Sequence, residues 1–222
     1  DPTDRDFYRQ NASALRVVDK VIDDISLGET RARADAYRYT LAKKAELYDP
    51  WTVVKRRGTD LVGVPYHVEY RAWLVPAARA LREAAALSDD APFAAFLRLR
   101  ADALLTDDYY TSDLAWVDLE DRKFDVIMAP YETYLDDLLG VKTSFGAAVM
   151  IRNAAESEKL ATYKKHVADI QDALPLPPED RPSNTGHPTP MEVMDTPFRS
   201  GDLRHGYQAV ADNLPNDPRI HQ

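Results

Sequence analysis

Apolar residues recur at helical spacing through most of the first half of this chain. Over residues 5–26, Ala14, Val18, Val21, Ile22 and Ile25 fall on one stripe, which predicts an amphipathic helix. Thr3 with Asp6 resembles a capping pair, and Gly28 is positioned to end the helix. Residues 30–48 predict a second helix with Ala34, Tyr37, Leu41, Ala45 and Tyr48 inward, closed by Pro50. Thr52 to Val64 reads as a connection carrying two glycines and the basic triplet Lys55-Arg56-Arg57. Residues 66–88 are helical in composition, and Pro76 inside them predicts a kink or a fresh start. Asp90 and Pro92 suit the cap and first turn of a helix reaching about Leu105. Asp107 to Asp118, with Tyr109, Tyr110, Leu114 and Trp116, predicts a short helix or irregular segment.

The second half changes period. Phe124 to Met128 is a short apolar run, too short for a typical helix and suited to a buried strand. Pro130 cannot donate to a sheet ladder and marks the strand's end or an edge. If the backbone stays extended beyond it, Glu132 and Tyr134 project to the same side. A second apolar run, Ala147 to Ile151, follows Gly140 and Gly146. Ala154 to Leu174 predicts a helix with Leu160, Tyr163, Val167 and Ile170 on one side. Prolines at 175, 177, 178, 182, 188 and 190 make an exposed loop with polyproline II character. Met191 to Thr196 suits a short strand that Pro197 confines to an edge, Ser200-Gly201-Asp202 a turn, and Tyr207 to Ala211 another strand. The fold class is α+β, with a helical first half and a small sheet after it.

Composition narrows the function. At 222 residues with 45% hydrophobic positions, the chain suits one large domain or two small ones. A net charge of −9 argues against nucleic-acid binding, since no excess of Lys and Arg is available for phosphates. The same balance makes the basic triplet a solvated loop rather than a phosphate site. Without cysteine, disulfides and thiolate metal ligands are excluded. No apolar run approaches the roughly 20 residues needed to span a bilayer, so a soluble chain, cytoplasmic or periplasmic, is expected. The chain opens on Asp1-Pro2, which suits a removed targeting segment or a trimmed start.

Catalytic motifs are scarce. His67, His166, His187, His205 and His221 are scattered, and none forms a paired metal-ligand spacing. There is no Gly-x-Ser-x-Gly elbow and no phosphate-binding glycine loop. The mixed-sign run Asp118 to Lys123 reads as a solvated turn. Two constellations remain. Glu132 with Tyr134 offers a negative charge and a hydroxyl to a cationic ligand. Asn213 with Asn216 offers donors and acceptors from a loop stiffened by Pro215. The alternative is that Glu132 pairs with a core arginine and that the asparagines only stabilise a turn.

The segment Pro130-Tyr131-Glu132-Thr133-Tyr134, followed by Gly140 and the run to Ile151-Arg152-Asn153, resembles the dipeptidyl peptidase III family of zinc metallopeptidases. Asn213-Leu214-Pro215-Asn216-Asp217 resembles that family's Asn-x-Pro-Asn segment. The chain is similar to the amino-terminal portion of the bacterial and plant-like branch, some members of which carry a Nudix domain. The similarity is good from about Tyr109 to Gln222 and looser over the first hundred residues. It implies one lobe of a two-lobed peptidase, with a barrel-like β-core and helices in this lobe and zinc in the other. By this resemblance Glu132 pairs with a peptide's free ammonium, Tyr134 hydrogen-bonds the peptide, and Asn213 and Asn216 hold the amine and first residues. The peptide would join the sheet edge as an added strand, and a fixed span from anchor to zinc would release dipeptides.

The family's zinc signature, His-Glu-x-x-(x)-His with a later glutamate, is absent from the sequence, and the glutamate that activates zinc-bound water is absent with it. Zinc is therefore expected in the full-length family member, with no metal ligand and no catalytic residue in this chain. The implied partners are a peptide substrate and the missing zinc-binding lobe. Residues 1–107 are expected to be a mainly helical region and 108–222 the substrate-binding part. The chain alone is expected to be inactive. A non-catalytic peptide-binding module and a structural interaction module are the alternatives.

Overall fold

In the computed structural model, residues 42–177, 192–205, 212 and 214–220 are described. The helix expected at 5–26, most of that at 30–48, the proline-rich stretch 178–190, the strand at 207–211, His187, His221 and Asn213 lie outside the described residues. Two compact units are present, one formed by Asp1–Val75 with Glu132–Ser144 and the other by Pro76–Tyr131 with Phe145–Gln222.

In the first unit, residues 42–48 are helical (α1), and Leu47 rather than Ala45 or Tyr48 is the buried side chain. The connection expected at 52–64 is instead a hairpin, β1 (Thr52–Arg57) against β2 (Asp60–Pro65), antiparallel in continuous register from Thr52–Pro65 to Arg57–Asp60. Its two-residue turn starts with Gly58 at φ 64°, and Gly as the first central residue suits a type II′ turn. A side chain at Gly63 would meet the Glu46 carbonyl oxygen at 2.6 Å, so the glycine records a close approach to α1. Within this pairing Gly63 N–H donates to Glu46 Oε1 at 2.7 Å, and Lys43 Nζ donates to the Leu61 carbonyl at 2.7 Å. The basic triplet lies on β1, where Lys55 pairs with Glu69. A short helix, α2 (Tyr66–Glu69), leads through Tyr70 into α3 (Arg71–Leu87). The break comes at Tyr70, and Pro76 sits inside the continuing helix rather than ending it.

The second unit is built on α4 (Ala91–Ala103) and α5 (Tyr110–Val117). Ala78, Leu81 and Ala85 of α3 are buried at helical spacing. Asp90 caps α4 by accepting from Phe93 N–H at 2.9 Å, as its position before Pro92 predicts. The sheet has the order β3-β4-β5: β3 (Phe124–Glu132), β4 (Ser144–Arg152) and β5 (Met194–Gly201). β3 runs through Pro130 instead of ending there, and among the described strands it stands at an edge, where a proline is tolerated. β5 lies on the other side of β4 among the described strands, antiparallel to it, and likewise runs through Pro197. Val149 pairs with Phe198 but Ile151 with Asp195, so Pro197 falls at a bulge, where its missing N–H breaks no ladder bond. Gly201 ends β5 at φ 59°, and α8 (Asp202–His205) begins where a turn was expected.

The helix expected at 154–174 is two, α6 (Ala154–Lys164) and α7 (Val167–Asp172), separated at Lys165-His166. Its expected inner side does not face inward: Tyr163, Val167 and Ile170 are exposed, and Ser157 is the buried residue of α6. The architecture is thus mixed, with two small antiparallel sheets among helices. The small sheet expected in the second half is present as β3-β4-β5, and the described strands show no closure into a barrel. Among the described residues no helix is long and apolar enough to cross a membrane.

Candidate functional site

β3 alternates strictly over most of its length. Asp125, Ile127 and Ala129 are buried, and Tyr131 continues their side of the strand. Its hydroxyl accepts from Arg100 Nη1 at 2.7 Å and donates to Asp113 Oδ1 at 2.5 Å, while Arg100 Nη2 donates to the same carboxylate oxygen. Arg100 is 1% exposed and Asp113 2% exposed. The guanidinium carbon lies 5.3, 5.5 and 5.6 Å from the ring centres of Phe96, Tyr109 and Tyr131, all within cation–π range. Trp116 stacks between Phe96 and Tyr131 at 6.4 and 6.3 Å. Burial pushes the Asp113 carboxyl above its usual range, against the opposing pull of the Arg100 charge. Burial likewise pushes the Tyr131 phenol up, so it stays a neutral donor.

Glu132 is the last residue of β3, and alternation turns it to the face opposite Tyr131. Arg100 pairs with Asp113 and Tyr131. The Glu132 carbonyl accepts from Ser144 Oγ at 3.3 Å. The extended backbone does not continue to Tyr134, which stands in a turn and is 63% exposed, so strand alternation does not relate it to Glu132.

Beyond that turn, the Asp136 carboxylate accepts from four backbone N–H groups, those of Leu138, Leu139, Val141 and Lys142, at 2.8 to 3.3 Å. Burial by itself would raise this carboxyl, but the four donors hold it below its usual range. Lys142 Nζ donates to the Asp49 carbonyl at 2.5 Å and to Thr52 Oγ1 at 2.7 Å. Tyr66 hydroxyl binds the Thr143 carbonyl at 2.7 Å. The 132–144 segment is thus fastened to α2 and to the start of β1 within its own unit.

The second expected pair is described in part, since Asn213 lies outside the described residues. Asn216 is exposed, and its Nδ2 donates to the Tyr131 carbonyl at 3.3 Å, joining segments 85 residues apart. Three residues on, Arg219 lies 4.1 Å over the ring of Tyr110 and pairs with Asp217. α5 therefore carries one residue that supports the 214–220 segment, Tyr110, and one that binds Tyr131, Asp113.

The described residues contain no group of three or more His, Asp or Glu that could hold a metal ion.

Sequence reasoning missed Arg100 and Asp113. The signal was present: Phe93, Phe96, Leu97 and Arg100 recur on one helical stripe, and a charge on such a stripe needs a buried partner.

No family model matches the chain. Dipeptidyl peptidase III from Caldithrix abyssi superposes with a TM-score of 0.75 and 36% identity, over 87% of this chain and 37% of that one. Dipeptidyl-peptidase III from Corallococcus sp. strain EGB gives a TM-score of 0.72 and 36% identity, over 87% and 36%. Nudix hydrolase 3 from Arabidopsis thaliana is 35% identical over 162 residues, 73% of this chain and 21% of that protein. The chain spans about a third of the length of the solved structures and about a fifth of the curated relative it matches. With sequence identity and backbone agreement coinciding over most of its residues, the chain is similar to a part of dipeptidyl peptidase III.

Proposed function

We propose that this chain is the substrate-anchoring, amino-terminal part of a zinc-dependent dipeptidyl peptidase, acting on the free amino end of peptides. Residues 108–222 carry the anchoring segments. Glu132 pairs with the ammonium, Tyr134 hydrogen-bonds the peptide, and Asn213 and Asn216 take the amine and the first residues. The observation that carries the reading is the bond from Asn216 Nδ2 to the Tyr131 carbonyl. It links the two segments that resemble the family's motifs, at the residue preceding Glu132. Zinc and the residues that use it belong to the remainder of such a peptidase. The 222-residue chain by itself therefore releases no dipeptides when zinc is supplied; zinc-dependent release would refute this part.

The anchoring role is tested with Glu132→Ala. A charge-assisted hydrogen bond contributes about 1.5 kcal/mol, so a free-amine tetrapeptide should bind roughly tenfold more weakly by calorimetry. The N-acetylated peptide should be unaffected. Equal binding of the free-amine peptide by both proteins would leave Glu132 a structural residue.

A further inference from the structure

We infer that Arg100, Asp113 and Tyr131 are positioning residues for the amine-anchoring segments, with α5 as their common support. This inference rests on the anchoring role proposed for Glu132 and Asn216. The three side chains touch no part of a bound peptide in that reading. They act through the backbone of β3 and through the segment 214–220.

The geometry runs in two branches from α5. In the first, Asp113 accepts from both Arg100 and the Tyr131 hydroxyl. That hydroxyl can meet both partners only with its side chain turned into the core. A strand has a side-chain period of two, so fixing Tyr131 inward fixes Glu132 on the outer face. Pro130 further limits the alternatives by locking its own φ. In the second branch, Tyr110 lies beneath the Arg219 guanidinium, and Arg219 binds Asp217 through Nε and Nη2. Asn216, the neighbour of Asp217, reaches the Tyr131 carbonyl. The two branches meet at Tyr131, through its hydroxyl and its carbonyl.

The burial of the triad makes this a stiff support. Arg100 and Asp113 are almost fully enclosed, and three aromatic rings surround the guanidinium. Releasing Tyr131 would remove one hydroxyl while keeping the ring packed against Trp116 and Arg100. Such a change alters the angular freedom of the strand end more than the core.

The experiment is calorimetric titration of the full 222-residue chain with tetra-alanine and with N-acetyl-tetra-alanine. The readout is the ratio of the two affinities, because a general loss of folded protein lowers both alike. Tyr131→Phe should reduce the ratio about threefold to tenfold and leave the acetylated peptide's affinity unchanged. Arg219→Ala, at an exposed side chain, should do the same and is decisive if Tyr131→Phe fails to fold. Glu132→Ala is the control for the anchoring reading and should bring the ratio to about one. Loss of the preference in Glu132→Ala but full preference in the folded variants overturns the positioning role and leaves anchoring intact. Equal loss for both peptides also overturns it, since a structural role alone would do that. No preference in the unsubstituted chain overturns both readings.

Discussion

Arg100→Met offers the sharpest test of how the second unit is held together. The substitution keeps an unbranched side chain of comparable length among Phe96, Tyr109 and Tyr131, so little packing volume is lost. What it removes is the cation opposite Asp113, a carboxylate 2% exposed to solvent. Breaking a buried pair on one side costs about 3–5 kcal/mol, because the remaining charge is uncompensated. Tyr131 still donates to Asp113, which places the expected loss toward the lower end, about 3 kcal/mol. With a urea slope of about 2 kcal/mol/M, the midpoint should fall by about 1.5 M. Trp116 fluorescence reports the transition once Trp51 and Trp73 are replaced by Phe, since the chain has three tryptophans.

The pH dependence carries the sign of the argument. Burial already raises the Asp113 carboxyl, and loss of Arg100 raises it further above the ordinary 3.8. A carboxyl raised by folding costs stability where the unfolded chain is ionised, and the cost vanishes once both states are protonated. The deficit should therefore be full at neutral pH and shrink as pH falls toward 3.8. Adding Asp113→Asn to Arg100→Met removes the stranded charge but keeps an acceptor for Tyr131, so the double variant should be more stable than the single one. A loss under about 1 kcal/mol, or a double variant weaker than the single, would refute the reasoning.

Two glycines with similar φ should respond differently to alanine. Gly58→Ala meets open space and should cost about 1 kcal/mol of conformational strain, whereas at Gly201 the new Cβ would lie 2.1 Å from the Phe145 carbonyl oxygen, so thermal unfolding should show a loss several times larger. Lys142 should titrate at about 8, chiefly through burial, with Asp49 and Asp136 pulling the other way; because its folded value lies below the ordinary 10.5, stability should rise as pH climbs from about 8 toward 10.5. Lys142→Met should abolish that rise, and an unchanged pH profile would contradict the assigned burial.

The sequence was legible where local pattern and tertiary context agreed. Phe124 to Met128 and Ala147 to Ile151 are strands because short apolar runs between Pro and Gly positions have few other ways to be buried. Asp90 caps α4 because its carboxylate needs only the local Phe93 N–H. The β1–β2 hairpin was not legible, since Gly63 weakens its strand signal and answers to Glu46, a partner 17 residues away. Tyr163, Val167 and Ile170 misled in the opposite way: their spacing describes an apolar side, but spacing does not say that anything in the described residues covers it.

The candidate site shows the same division. Glu132 and Asn216 stand out in sequence by their place in recognisable segments, yet the residues beneath them, Arg100 and Asp113, are remote in sequence from both. Their meaning depends on Tyr131, and Tyr131 shares its segment with the residues proposed to meet the peptide. Binding groups at a strand end can hold a direction only if the preceding side chain is fixed, since one residue of slippage exchanges the two faces. A buried arginine, costly in a core of this size, is explained if it secures that register rather than if it only adds stability. The two explanations separate at Tyr131→Phe, which leaves the Arg100–Asp113 ion pair in place and removes only its hold on the strand.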